Sequence, residues 1–172
     1  APVAWSGDGK LIALGSARYS KVELWDAVTK TKLRELKSPA TGIRALVFHR
    51  GGKLLLSGTS NGDIQVWSVP DGKLLNTLKG HSMAVTRLAF HPKDDKFASS
   101  SWDGTVKLWN LSTGKEIRTI QAHGKPVNSV DFNKDGTLLA SGATDGWVAI
   151  WKVDDGSSVK KWKAHYAAVY RT

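Results

Sequence analysis

Short apolar runs recur along the chain and alternate with glycine-rich turns. Four of these runs are LIALGS, LLLSGT, FASSS and LLASGA, and each is followed, after a polar turn, by a phrase that contains a tryptophan near its end: KVELWD, DIQVWS, TVKLWN and WVAIWK. The runs are rich in Val, Ile, Leu, Thr and Trp and are bounded by GDG, GG, DG or TG, which favours strands over helices. Several are apolar on both faces, so we expect stacked sheets that cover both sides.

The whole chain repeats with one period. Trp25, Trp67, Trp109 and Trp151 stand 42 residues apart, and each belongs to a set of four strand-like phrases. Four short strands with a period in the low forties are the signature of a β-propeller blade. The sequence therefore predicts an all-β fold of four four-stranded antiparallel blades, a single propeller segment over residues 1–172. The predicted blades cover residues 1–42, 43–84, 85–126 and 127–168, and residues 169–172 begin a further strand.

Composition narrows the possible chemistry. The chain has 172 residues, a formal net charge of +10 and no cysteine, which excludes disulfides, thiolate nucleophiles and cysteine-ligated zinc. No apolar run reaches the 18 or more residues of a membrane-spanning helix, and the first residues, APVAWSGDGK, carry no secretion signal pattern. We expect an intracellular protein without a membrane partner, and the sequence does not distinguish cytoplasm from nucleus.

Several dipeptides recur in phase with the tryptophans. Gly-His or Ala-His ends at His81, His123 and His165, and Asp-Gly begins at Asp103 and Asp145. With these motifs the chain resembles the WD-repeat propeller family. The resemblance implies blades with strands a to d from inside to outside, a histidine in the d–a loop, a serine or threonine in strand b, an aspartate in the b–c turn and a tryptophan in strand c. The third repeat then supplies His81, Ser99, Asp103 and Trp109, and the fourth supplies His123, Ser141, Asp145 and Trp151.

These residue types also occur in Ser/His/Asp catalytic sites. A nucleophilic triad would need an oxyanion site and a substrate cleft, and it would not be expected in consecutive repeats. A structural hydrogen-bond network that satisfies buried polar atoms is the preferred interpretation. We therefore predict no enzyme activity, no catalytic residue, no metal site and no cofactor. Trp5, which aligns with Phe48, Phe90 and Phe132, is predicted to be core.

The family resemblance implies a protein-binding rim made of the d–a and b–c loops. The implied contact positions are the residue before the b–c aspartate and the residue near the start of strand a: Ser60, Trp102, Thr144, Arg44, Thr86, Asn128 and, in the unfinished unit, Tyr170. Trp102 differs from its small polar counterparts, and exposed tryptophans are enriched at interface hot spots. The alternative is that Trp102 folds onto a neighbouring loop and caps the blade. The main hypothesis is a scaffold that binds a protein or peptide partner there.

Two further alternatives remain open. Basic residues concentrate in the a–b and c–d turns, so a nucleic-acid or ribonucleoprotein role on that face is the rival function, although aromatic residues for base stacking are sparse there. Basic outer strands also have the simpler role of protecting sheet edges. Four blades are few for this family, so we expect either missing blades from the same longer chain or a second copy that completes an eight-bladed ring.

Overall fold

The computed structural model describes residues 1–165 and 167–169. Within these residues the chain forms four four-stranded antiparallel sheets, helices are absent, and strands follow one another in sequence order across each sheet. The predicted all-β fold of four-stranded antiparallel blades is confirmed. Among the described residues no helix has the length and apolar character to cross a membrane.

Each sheet is called a blade, and its strands are given from the inside outward. Blade 1 contains β1 (Val3–Trp5), β2 (Leu11–Gly15), β3 (Lys21–Asp26) and β4 (Lys32–Lys37). Blade 2 contains β5 (Ile43–Phe48), β6 (Leu54–Thr59), β7 (Ile64–Ser68) and β8 (Leu74–Leu78). Blade 3 contains β9 (Val85–Phe90), β10 (Lys96–Ser101), β11 (Val106–Asn110) and β12 (Glu116–Ile120). Blade 4 contains β13 (Val127–Phe132), β14 (Leu138–Ala143), β15 (Trp147–Lys152) and β16 (Ser158–Lys163).

The chain divides into two compact units. Unit 1 is Ala1–Val85 and holds blades 1 and 2, whereas unit 2 is Thr86–Thr172 and holds almost all of blades 3 and 4. In unit 1 the core joins one face of blade 1 to the opposing face of blade 2: Ala13, Val22, Leu24 and Leu36 pack with Ile43, Phe48, Leu55 and Trp67. In unit 2 the same arrangement joins Ala98, Val106, Leu108 and Ile120 to Val130, Leu139 and Trp151. Within each unit, face-to-face stacking buries the apolar side chains of the two opposing blade faces.

The inner strands approach closely at glycines. A Cβ at Gly15 would lie 2.7 Å from Cγ2 of Ile43, and a Cβ at Gly142 would lie 2.6 Å from Cγ1 of Val169. The Val169 amide also donates to the Ala143 carbonyl at 3.0 Å, while residues 170–172 lie outside the described residues. Glycine at the end of strand b thus lets the first apolar side chain of the next repeat pack against the sheet.

Trp5 departs from its prediction as a core residue. It is 59 % exposed, whereas Phe48, the equivalent residue of blade 2, is 6 % exposed. The difference arises because Phe48 faces blade 1, while no described residue of unit 1 covers the opposite face of blade 1. The prediction is wrong for blade 1, because a side chain at this position is buried only where a second blade packs against it, as blade 1 does against Phe48.

Candidate functional site

The b–c turn of blade 3 is fixed by hydrogen bonds. The Asp103 carboxylate accepts from the Thr105 amide at 2.9 Å and from the Thr105 hydroxyl at 2.6 Å, and the Asp103 amide donates to Oγ of Ser101 at 3.1 Å. Gly104 has a φ of 86°, and a Cβ there would lie 2.7 Å from the His123 carbonyl oxygen. Aspartate followed by glycine is therefore required for a tight turn on which the d–a loop rests.

Trp102 lies on that turn, between the buried Ser101 and the partly buried Asp103. Its side chain is 36 % exposed, although it follows a residue with no exposed surface. The loop that precedes blade 4 crosses the same turn, since the His123 amide donates to the Gly104 carbonyl at 3.0 Å. Part of the Trp102 residue is thus open to solvent on a turn whose backbone is held by hydrogen bonds.

The tryptophans of the 42-residue repeat have a different environment. Each donates its indole N–H to a serine of strand b in blades 2, 3 and 4: Trp67 to Ser57 at 2.9 Å, Trp109 to Ser99 at 2.8 Å and Trp151 to Ser141 at 2.9 Å. All three serines have no exposed surface. These pairs join strands b and c in the interior of each blade.

In blade 4 the serine is also bonded to the d–a loop. His123 Nε2 lies 2.8 Å from Oγ of Ser141, so one hydroxyl connects the loop, strand b and strand c. Burial lowers the pKa of the His123 imidazole, and the nearby Lys161 ammonium lowers it further, against the smaller opposing effect of Asp145. His123 is therefore held in its neutral form, which suits a hydrogen bond inside a blade.

The predicted network does not extend from His123 to Asp145 in blade 4. The Asp145 carboxylate accepts the Trp147 amide at 3.2 Å, while Nδ1 of His123 is buried and has no hydrogen-bond partner among the described residues. Asp145 thus stabilises its own turn. In the third repeat, His81 is buried in unit 1, while Ser99, Asp103 and Trp109 belong to unit 2.

Most of the other predicted rim residues join neighbouring strands. In unit 2, the Thr86 hydroxyl donates to the Val127 carbonyl at 2.7 Å, and the Asn128 amide group donates to the Val169 carbonyl at 3.0 Å. The backbone amide of Thr144 donates to the Pro126 carbonyl at 3.0 Å. The Thr86 and Asn128 side chains therefore link one blade to the next segment of chain.

Two predicted rim residues lie together in unit 1. Nε of the exposed Arg44 donates to Oγ of Ser60 at 2.9 Å, and Ser60 in turn donates to the Gly42 carbonyl at 3.3 Å. Tyr170 lies outside the described residues. The sequence reasoning did not select Tyr19, which is 61 % exposed on the b–c turn of blade 1. An aromatic residue within the polar turn SARYS is the signal that would have identified it.

Metal and nucleic-acid chemistry have less support from the geometry. Among the described residues no cluster of three or more His, Asp or Glu side chains is arranged to hold a metal ion. In unit 2, Lys93 and Lys134 line an open depression of about 450 Å³, but Asp135 and Asn133 share it. A carboxylate in the depression reduces the positive potential that phosphate binding requires.

The fold and its internal bonds define a class of protein. Antiparallel four-stranded blades, stacked face to face and braced by buried tryptophan–serine hydrogen bonds, are the blades of a propeller-type repeat protein. A sequence model of the family described as "WD domain, G-beta repeat" (WD40) matches residues 30–68, 72–110 and 114–152, more than half of the chain. The chain belongs to this family, and the resemblance inferred from its dipeptides is confirmed. No curated protein matches the chain. WD40 repeats generally act as non-catalytic scaffolds for protein–protein interaction.

Proposed function

We propose that the chain is a non-catalytic scaffold that binds a protein or peptide partner on the loop rim of unit 2, with Trp102 as the main contact. The observation that carries this proposal is the contrast between Trp102 and the repeat tryptophans. Trp102 is 36 % exposed on a turn, whereas Trp67 and Trp109 are each 2 % exposed inside their blades. The repeat explains the buried indoles of Trp67 and Trp109 and gives no reason for the indole of Trp102.

The rigidity of the turn supports a binding role. A contact residue that is already held in place loses little conformational entropy when the partner arrives, so more of its apolar contact contributes to affinity. The Asp103–Thr105 hydrogen bonds and the positive φ of Gly104 hold the backbone on one side of Trp102. Tryptophan is also among the residue types most enriched at energetic hot spots.

Burial of the strand-b serines argues against hydrolysis. Ser141 and His123 form a pair in which a histidine ring nitrogen lies 2.8 Å from a serine hydroxyl oxygen. Ser141 has no exposed surface, and its oxygen also accepts the Trp151 indole N–H. A nucleophile must reach its substrate, so this pair is suited to bracing and not to acyl transfer.

A peptide-display selection tests the proposal. Binders selected from a random peptide library on the intact chain are measured by calorimetry against the chain and against Trp102→Ala. Loss of a tryptophan hot spot costs at least about 2 kcal/mol, so we expect affinity to fall about 30-fold or more. The matched control is Leu75→Ala, because Leu75 is 57 % exposed but lies on the outer strand β8. Equal affinity for the Trp102 variant and the unaltered chain would refute the proposal.

The salt dependence of binding distinguishes the proposed peptide-binding function from a nucleic-acid role. Binding of a single-stranded oligonucleotide through lysines would weaken steeply as salt rises, because counterions released from phosphates drive it. A peptide held by an indole should lose little affinity over the same range. Tight oligonucleotide binding with a steep salt dependence, unaffected by Trp102→Ala, would favour the nucleic-acid role instead.

A further inference from the structure

One kind of interface occurs twice in this chain. In unit 1 a row of side chains across blade 2, Phe48–Leu55–Trp67, packs on a row across blade 1 that includes Leu24 and Leu36. In unit 2 the equivalent row Phe132–Leu139–Trp151 packs on the face of blade 3 that carries Leu108 and Ile120. We call the rows Phe48–Leu55–Trp67 of blade 2 and Phe132–Leu139–Trp151 of blade 4 front rows. The faces of blades 1 and 3 on which they pack are called back rows. Each internal interface joins one front row to one back row.

Blade 1 has a front row that no described residue of unit 1 covers. Strand register places Trp5 beside Ile12 and Ile12 beside Trp25, as Phe48, Leu55 and Trp67 are placed in blade 2. Trp5 is 59 % exposed, and with its neighbours it lines a cavity of about 440 Å³ whose outer edge carries Asp26 and Lys30. The side chains are those of an interface, but the face has no partner within unit 1.

Blade 4 has a back row that no described residue of unit 2 covers. Register pairs Val148 with Trp162 and Ala140 with Ile150, as it pairs Val22 with Leu36 and Ala13 with Leu24 in blade 1. Leu36 is 1 % exposed, whereas Trp162 is 37 % exposed. The residues Ala140, Val148 and Ile150, whose counterparts in blades 1 and 3 are buried, are only partly buried here.

We propose that two copies of the chain associate head to tail, with the front row of blade 1 in one copy docked on the back row of blade 4 in the other. The chain itself points to this occupant, because it carries one front row and one back row that are the two halves of an interface it already makes twice. A face complementary to another face of the same molecule gives a heterologous contact between identical chains. Apolar rows of this size are otherwise unusual on an exposed surface.

Two positions in blade 1 make this contact differ from the internal ones. Leu14 occupies the place of Ser57 and Ser141, so a d–a histidine of the second copy would meet an apolar side chain. Trp25 accordingly donates its indole N–H to Glu23, at 3.2 Å, and not to a serine. The contact between copies therefore lacks the buried serine of the internal interfaces, and it brings the Glu23 carboxylate, which pairs with Lys21 at 3.0 Å, to the same face.

Lys30 is the second such position, and it weakens the proposed contact. Its counterparts in blades 2 and 4 are Gly72 and Gly156, where a Cβ would lie 2.4 Å from Cδ of Arg34 and 2.6 Å from Cδ of Arg118. Register places Lys160 of blade 4 where Arg34 and Arg118 stand in blades 1 and 3. Lys30 thus places a second cation and a side chain where the arriving Lys160 needs space, so Lys30→Gly should tighten the association.

Sedimentation equilibrium on complementary variants tests the proposal. Trp5→Arg blocks the front row and Ile150→Arg blocks the back row, and both leave the other row intact. At about 100 µM, where an interface of standard size is populated, the unaltered chain should associate and each variant alone should be monomeric. An equimolar mixture of the two should associate again as a heterodimer, because one intact front row meets one intact back row. Lys30→Gly should lower the dissociation constant several-fold.

A matched control is Leu75→Arg, which places the same charge at a 57 % exposed position on the outer strand β8 and should associate like the unaltered chain. Circular dichroism of every variant checks that the blades are folded, and Val148→Arg replaces Ile150→Arg if that variant is not. A monomeric unaltered chain would overturn the proposal. So would a mixture that stays monomeric, or association that Trp5→Arg abolishes and Ile150→Arg does not, since front rows would then meet each other.

Discussion

Replacing Ser141 by alanine removes a hydroxyl oxygen that joins three segments of unit 2: the d–a loop, strand b and strand c. The hydroxyl accepts the Trp151 indole N–H at 2.9 Å and lies 2.8 Å from His123 Nε2, and it has no exposed surface. Alanine fills almost the same volume, so the change leaves packing intact and deprives two buried polar groups of a partner. Each such group costs about 1–3 kcal/mol, and we expect Ser141→Ala to destabilise unit 2 by about 3 kcal/mol.

The assay is urea unfolding followed by tryptophan fluorescence, with amide hydrogen exchange on β14 and β15 to locate the loss. Exchange is needed because two compact units need not unfold together. Ser112→Ala, in the exposed c–d turn of blade 3, is the matched control and should stay within about 0.5 kcal/mol of the unaltered chain. A double-mutant cycle with Trp151→Phe isolates the serine–indole bond.

In the Trp151→Phe background the serine has only one partner left, so Ser141→Ala should cost roughly half as much as it does alone. The reasoning is refuted if Ser141→Ala costs no more than Ser112→Ala. It is also refuted if the cost is the same in both backgrounds, because the hydroxyl would then not be bonded to the indole.

Three further changes follow from single residues. Burial lowers the pKa of His123 in the folded chain, so as pH falls this imidazole takes up a proton in the unfolded chain before it does in the folded chain. The stability of the protein should therefore fall as pH drops below about 6.5. Urea unfolding midpoints measured between pH 7 and 5 should depend less on pH in His123→Gln. Lys30 has a φ of 59°, a backbone conformation that costs a non-glycine residue about 1 kcal/mol. Glycine removes this strain but gives the unfolded chain more freedom, so Lys30→Gly should raise the free energy of unfolding by about 0.5 kcal/mol. A lower thermal unfolding midpoint for this variant would contradict the presence of strain at Lys30. Gly15→Ala should destabilise unit 1 by about 1–3 kcal/mol because its Cβ would meet Ile43 at 2.7 Å, whereas Gly9→Ala, with nothing within 4 Å but a φ of 70°, should show only the smaller backbone cost.

The strands were predictable because their signals are local. Apolar runs of five to eight residues between glycine turns fix where each strand lies, and the 42-residue spacing of Trp25, Trp67, Trp109 and Trp151 groups them into fours. Buried indole N–H groups need acceptors, so the serines of strand b could be anticipated from spacing and the family resemblance together. In blades 2, 3 and 4 the hydrogen bonds lie at those positions.

The sequence does not show which part of the protein packs against each blade face. Trp5 has the pattern of a core residue, and its exposure depends on which blade stands beside it, a property of the assembly and not of the strand. Thr86 and Asn128 have the pattern of rim residues, yet their side chains donate to carbonyls 41 residues further along the chain. Asp145 matches a motif, but whether its carboxylate bonds His123 or its own turn is decided by distances that no spacing encodes.

The central claim is that tryptophans on the 42-residue repeat stabilise the blades and that Trp102, off the repeat, binds the partner. Measuring both the unfolding free energy and the affinity for a selected peptide in Trp102→Ala and Trp109→Phe tests it directly. We predict that Trp102→Ala stays within about 0.5 kcal/mol in stability and loses about 30-fold or more in affinity, while Trp109→Phe loses about 1–3 kcal/mol of stability and keeps its affinity when folded. The opposite assignment, with Trp102→Ala as the destabilised variant and its affinity unchanged, would contradict the account.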